Sequence, residues 1–170
     1  MQQILILKKT AIITLVQFIF LLALATLAPL LGHQSLTGSL VNAVLFIATV
    51  ILGAQAALLI GLMPSLIALS TGLLPAILAP MIPFIMTANA ILVTTFNFVR
   101  KKNYWLAVLL ASIFKFFFLA LSSSLVIELL AKKEIAQNVA LMMSWPQLIT
   151  ALSGGVLAYF FLKIIKISTA

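Results

Sequence analysis

The sequence has very few of the residues on which most soluble enzymes depend. Of its 170 residues none is cysteine, one is histidine and two are acidic. The lack of cysteine excludes disulfides, iron–sulfur clusters, thiolate metal sites and cysteine nucleophiles. One histidine and two glutamates leave too few groups for acid–base catalysis or metal ligation, so we expect no enzyme, no cofactor and no metal ion.

Charge is also scarce, and apolar surface replaces it. Charged residues make up 7% of the chain and hydrophobic residues 65%, with a mean hydropathy of +1.33. A soluble globule needs far more charge to cover its surface. The formal net charge is +8, but the basic residues form short, separated clusters rather than the contiguous patch that binds nucleic acid. We therefore expect an integral membrane protein in contact with the lipid bilayer.

The spacing of the basic residues predicts where the chain crosses the membrane. One helical crossing takes about 20 residues, and 90 uncharged residues separate Lys9 from Arg100. The spacing predicts a single all-α membrane domain over residues 1–170, a bundle of six transmembrane helices. The predicted spans are 10–31, 40–53, 54–71, 83–99, 104–128 and 139–165. The second and third are short, so four or five crossings are the alternative.

The same basic residues predict the orientation of the bundle. With the N terminus inside, seven of them lie on the cytoplasmic side: Lys8, Lys9, Arg100, Lys101, Lys102, Lys163 and Lys166. Lys132 and Lys133 lie outside, beside Glu134. This arrangement agrees with the positive-inside rule and predicts that both termini are cytoplasmic. The first apolar run continues through Leu31, too far for a typical cleaved signal peptide.

Small residues predict close contacts between helices. Gly53, Ala57, Gly61 and Ser65 recur every four positions and share one helical ridge. Helices in lipid associate through such small residues because burial of apolar surface does not drive them together. The ridge packs either within the bundle or against a partner subunit. The pair of glycines at 154 and 155 gives the sixth span a similar smooth patch.

Lys115 is the most informative polar residue, because it lies eleven residues into the fifth predicted span. A charge at the centre of the bilayer costs about 2.5–3.5 kcal/mol on insertion scales. Lys115 is too deep for its side chain to reach either interface. No acid is close enough in sequence to pair with it. Its ammonium must therefore face a water-filled cavity, a set of carbonyls or an anionic ligand.

Other scarce polar residues fall at a similar depth and complete a candidate substrate-binding site. Asn89 lies in the outer third of the fourth span, Ser122 toward the outer end of the fifth, and Trp145 and Gln147 in the outer third of the sixth. With Lys115 they converge between the midplane and the outer surface. Trp145 alone is also typical of an interfacial aromatic belt.

The first outer loop contributes two further candidates. His33 and Gln34, with Asn42 nearby, flank this loop and could close over a ligand. A solvated loop with no role in binding is the alternative.

Three segments carry a resemblance to a known family. These are the runs Gly53–Pro64, Gly72–Pro83 and Ser144–Gly155, the second of which leads into the helix of Asn89. In these segments, and in length and span number, the chain resembles the substrate-binding (S) components of energy-coupling factor (ECF) transporters. The family's first-helix Ala-x-x-x-Ala motif is missing. Gln2 stands where metal-transporting members have a histidine, so a metal cargo is not expected.

The resemblance implies a function and partners. S components capture a small vitamin or micronutrient from outside the cell with high affinity, and Lys115 favours an anionic or carboxylate-bearing one. They dock to a membrane coupling subunit and a pair of cytoplasmic ATPases in the cell membrane of prokaryotic-type cells. The chain itself has no phosphate-binding loop and no intramembrane acid. The alternatives are a self-sufficient small secondary carrier or channel, and a non-transporting membrane assembly subunit.

Overall fold

The computed structural model describes residues 2–70, 76–129 and 140–167, and within them all regular structure is helical. In chain order the long helices are α1 (Gln2–Leu27), α2 (Gln34–Ile51), α3 (Ala54–Ser70), α4 (Ile82–Val99), α5 (Tyr104–Leu129) and α6 (Trp145–Ile164). Short 3-10 helices, Ala28–Leu31 and Ala76–Met81, follow α1 and precede α4. The predicted outer residues Lys132, Lys133 and Glu134 lie outside the described ranges.

Apolar segments of membrane-spanning length define the class of this fold. Within the described residues, five are long and apolar enough to cross a bilayer: Thr10–Leu31, Gln34–Ile51, Ala79–Val99, Tyr104–Val126 and Ala140–Ile164. The apolar part of α3, Ala54–Ile67, is shorter, about 21 Å at the rise of an α-helix. The protein is therefore an all-helical, multi-pass membrane protein.

Helix α2 is the centre of the bundle. Nine consecutive residues, 41–49, are buried, because α6 packs along α2 and α1, α3 and α4 also contact it. Helix α2 begins at Gln34, six residues before the predicted span 40–53. The sequence predicts a solvated loop for these first polar residues. In the structure they are helical, and the side chains of Gln34 and Thr37 line a cavity.

Two glycines let α2 and α6 approach each other closely. A Cβ atom added to Gly38 would lie 3.0 Å from Thr150 Cβ, and one added to Gly154 would lie 2.7 Å from Asn42 Cβ. Both distances are shorter than an ordinary van der Waals contact. Small residues at the crossing therefore allow the two backbones to come close enough for side chains of α2 and α6 to meet.

The predicted small-residue ridge packs inside the bundle along α3. Ala57, Gly61 and Ser65 are buried, and Gly61 lies against Leu45 of α2 and Asn89 of α4. Gly53 does not share this contact, because it forms the turn between α2 and α3 with a φ of +88° and open space around its Cα. Glycine suits that turn because a positive φ is strained for other residues.

The two ends of the bundle differ in character. At the basic end, where α4 joins α5 and α6 terminates, lie Arg100, Lys101, Lys102, Lys163 and Lys166. The opposite end, where α1 leads into α2 and α6 begins, holds a cavity, and we call it the cavity end. Near the basic end Tyr104 packs edge-on against Phe96, and its hydroxyl donates to the Gly155 carbonyl at 2.8 Å.

Candidate functional site

A cavity of about 290 Å³ opens at the cavity end. Its lining comes from the α1–α2 connection and from α2 to α6, together with the turn that precedes α6. The lining residues are Pro29, Gly32, His33, Gln34, Thr37, Gly38, Val41, Asn42, Pro64, Ser65, Ile85, Asn89, Lys115, Met142, Met143, Gln147 and Thr150. Apolar walls with a few convergent polar groups are the usual composition of a small-molecule site, and the volume is close to the lower limit of about 300 Å³ for such sites.

Lys115 brings a charge to the inner part of this cavity. The residue is 3% exposed, and its Nζ donates to Asn42 Oδ1 at 2.6 Å and to Asn89 Oδ1 at 2.8 Å. These acceptors come from two different helices, α2 and α4. The ammonium is thus held at a fixed point by two neutral amides.

Each asparagine is itself oriented by a further contact. Asn89 Nδ2 donates to the Gly61 carbonyl at 2.9 Å, and Asn42 Nδ2 approaches Thr150 Oγ1 at 3.5 Å. Because each amide nitrogen is directed away from the lysine, each amide oxygen faces it. The network connects α5 to α2 and α6 on one side and to α4 and α3 on the other. Lys115 therefore lies at the junction of five helices.

The described residues that line the cavity include no carboxylate to compensate Lys115. The chain has only two acids, Glu128 and Glu134, and Glu128 is thirteen residues along α5, a helix rise of about 20 Å. An ammonium has three N–H donors, and the described part of the chain supplies two acceptors to it. Within the described residues, one N–H donor and one formal positive charge of Lys115 remain for a molecule in the cavity.

Side chains at the mouth of the cavity connect its two sides. Gln34 Nε2, at the start of α2, donates to the Met142 carbonyl at 2.9 Å. Gln147 Nε2, in the first turn of α6, donates to the same carbonyl at 3.2 Å. Thr37 Oγ1 donates to the Ala28 carbonyl at 3.0 Å and holds the α1–α2 connection against α2. These hydrogen bonds therefore connect the start of α2 to the turn that precedes α6 and to the α1–α2 connection.

The structure brings five of the seven candidate residues to this cavity: His33, Gln34, Asn89, Lys115 and Gln147. Ser122 does not line it and donates back to the Phe118 carbonyl of its own helix at 2.7 Å. Trp145 is 65% exposed and packs on Phe116 at the outside of the bundle. An exposed tryptophan on that surface has the environment of an aromatic belt residue rather than of a pocket wall.

One residue of the site, Thr150, is not among the sequence candidates, and the role of another, Asn42, differs from the one expected. Asn42 contacts Lys115 directly, and Thr150 orients Asn42. From the sequence, Asn42 is expected only at the edge of the first outer loop. The repeat of Gln34, Gly38 and Asn42 at intervals of four is a polar and small face on α2, and it could have indicated this role. No sequence signal places Thr150 beside Asn42, because their contact depends on how α2 and α6 pack.

In comparisons with known proteins, no family model, curated sequence or solved structure matches the chain. The fold and the site therefore define its class. It is an all-helical, multi-pass membrane protein with a cavity at one end of the bundle, and polar side chains line the inner part of that cavity.

Proposed function

We propose that this chain is the membrane-embedded substrate-binding subunit of an ECF-type importer, which captures a small metabolite from outside the cell. In this proposal six helices cross the cell membrane of a prokaryotic-type cell, both termini are cytoplasmic, and the cavity end faces outward. A coupling subunit and a pair of cytoplasmic ATPases supply the energy, since the sequence contains no phosphate-binding loop and its one acid in a predicted span, Glu128, is the last residue of that span. The chain binds cargo and catalyses no reaction.

One observation carries the proposal: the buried ammonium of Lys115 lines a cavity whose described lining residues include no carboxylate to neutralise it. A charged group inside a membrane protein is expensive and usually serves function. A purely structural lysine would need no adjacent cavity, and here the lysine is one of its lining residues. The apolar walls and the nearby amides of Gln34 and Gln147 suit a small molecule with one polar end.

The decisive experiment is native mass spectrometry of the full chain, gently purified from membranes. We expect the wild type to carry a co-purifying small molecule. The Lys115→Met variant should insert and purify but lose that molecule, because Lys115 supplies the one ammonium among the described lining residues. Lys101→Met is the matched control, since Lys101 is exposed at the basic end. A wild type with no bound molecule, or equal occupancy in Lys115→Met, would contradict the proposal.

A second experiment separates this function from that of a self-sufficient carrier. A tagged chain isolated from its native membrane should bring with it another multi-pass subunit and two ATPase chains. Vesicles containing the chain alone should bind the cargo without accumulating it. Accumulation in ATP-free vesicles would favour the carrier instead.

A further inference from the structure

The charge balance of the cavity restricts its ligand. Of the lining residues only Lys115 and His33 can carry a positive charge, and none can carry a negative one. His33 lies at the exposed start of α2, whereas Lys115 is buried against the inner wall. A ligand that reaches the inner end of the cavity therefore meets a single fixed cation.

Asn42 and Asn89, which hold the Lys115 ammonium, carry no charge and therefore do not neutralise it. Asparagine and aspartate have the same shape, and an aspartate at position 42 or 89 would form a buried ion pair with Lys115. The amide oxygens accept the same hydrogen bonds, at 2.6 and 2.8 Å, without adding a negative charge. Asn42 and Asn89 thus fix the ammonium in place and leave its charge available to the ligand.

The rest of the lining suits an apolar body. The apolar side chains of Val41, Ile85, Met142 and Met143 are among the lining residues. Methionine side chains adapt to irregular shapes because they are unbranched and flexible. A second anionic group on the ligand would find no second buried cation, and its desolvation would oppose binding.

We infer that the ligand is a small monocarboxylate with an apolar body, and that Asn42 and Asn89 are positioning residues that set this charge preference. The inference rests on the proposed function and names the substrate class of its site. The carboxylate takes the free donor of Lys115, and the apolar body lies along the valine, isoleucine and methionine side chains.

Three probes of one shape test the inference in the purified full chain. Benzoate, benzamide and benzamidinium are nearly isosteric and carry one negative charge, no charge and one positive charge. Binding is measured by calorimetry at millimolar probe concentration, and phenyl phosphate serves as a probe with greater negative charge. We expect the wild type to prefer benzoate to each of the other three by at least about tenfold, the low end of what a charge-assisted hydrogen bond contributes.

Two charge variants identify the positioning role. Asn42→Asp and Asn89→Asp should each lose at least about tenfold in benzoate affinity, because a carboxylate then neutralises Lys115. The melting temperature of Asn42→Asp should not fall, because the Thr150 hydroxyl can donate to a carboxylate at position 42, and this variant separates lost charge from lost structure. Asn89→Asp also loses the donor to the Gly61 carbonyl, so its melting temperature is expected to fall. Asn103→Asp is the control: it adds the same charge between α4 and α5 at the basic end, where aspartate can also accept from the Leu106 N–H as Asn103 does.

Each result decides the inference. A wild type that does not prefer benzoate to benzamide, whether it binds both or neither, overturns it. If phenyl phosphate binds as tightly as benzoate, the inference that the ligand carries a single negative charge is wrong. Unchanged benzoate affinity in both aspartate variants removes the asparagines from the positioning role. A co-purifying neutral molecule in the mass spectrometry experiment would refute the charge class while the binding function stands, whereas an empty wild type would refute the function itself.

Discussion

Replacing Asn89 with leucine tests whether the lysine network holds the helices together. The side chain of Asn89 makes two hydrogen bonds, as acceptor from Lys115 at 2.8 Å and as donor to the Gly61 carbonyl at 2.9 Å. Leucine has a similar size but makes neither. The change leaves the ammonium with Asn42 alone and leaves the Gly61 carbonyl without its side-chain donor.

The magnitude follows from the two lost bonds. A hydrogen bond to a charged group contributes about 1.5–3 kcal/mol, and an interhelical bond in a membrane protein contributes about 0.6 kcal/mol on average. Leucine recovers part of this through apolar burial. We therefore expect Asn89→Leu to lower the free energy of unfolding by about 2–3 kcal/mol.

The assay is reversible unfolding in mixed micelles of increasing SDS content, followed by tryptophan fluorescence. The control is Asn97→Leu, two turns along the same helix, since Asn97 is only half-buried and makes no side-chain hydrogen bond to the described residues. A loss below about 0.5 kcal/mol in Asn89→Leu, the range of ordinary surface substitutions, would refute the role of the network. An equal loss in Asn97→Leu would do the same.

Three further predictions concern packing and orientation. Gly154→Ala should destabilise the protein by about 1–3 kcal/mol, because the new Cβ meets backbone atoms of α2 at 2.8 Å. The same unfolding assay measures this loss. An unchanged midpoint would show that α2 and α6 pack less closely than described. Tyr104→Phe should cost about 0.5–1.5 kcal/mol through loss of the bond to the Gly155 carbonyl, and thermal unfolding that matches the wild type would contradict this. Because the chain has no cysteine, single cysteines report orientation cleanly: Ser35→Cys should react with an impermeant maleimide on intact cells and Lys102→Cys only after lysis, and the reverse pattern would invert the proposed topology.

The sequence was sufficient for the approximate positions of α4 and α5 and for singling out Lys115 as a charged residue deep within α5. Uncharged runs of membrane length determine where α4 and α5 lie, because the bilayer admits few other structures. A lone lysine in such a run is informative because its burial is expensive. Both conclusions depend on local composition alone.

Local composition does not determine which way each helix is rotated about its axis or which helices pack against each other. Trp145 was a candidate pocket wall, but its side chain faces outward, and one residue along a helix changes direction by about 100°. Ser122 is close to the direction of Lys115 yet about 10 Å further along α5, where it bonds to its own helix. Asn42 joins the site because α2 packs along α6 and the long side chain of Lys115 reaches it from α5, which no local pattern specifies.

The enclosed position of α2 also constrains the order in which the protein can assemble during synthesis. Asn42 and Thr150 are 108 residues apart, so the ribosome must translate most of the chain before α6 is available to cover α2. Until then Asn42 and the polar face of α2 contact the translocation machinery or lipid instead of α6. We therefore expect nascent chains that stop short of α6 to be retained by insertion factors or degraded by membrane proteases, and the bundle to close only when its late helix arrives.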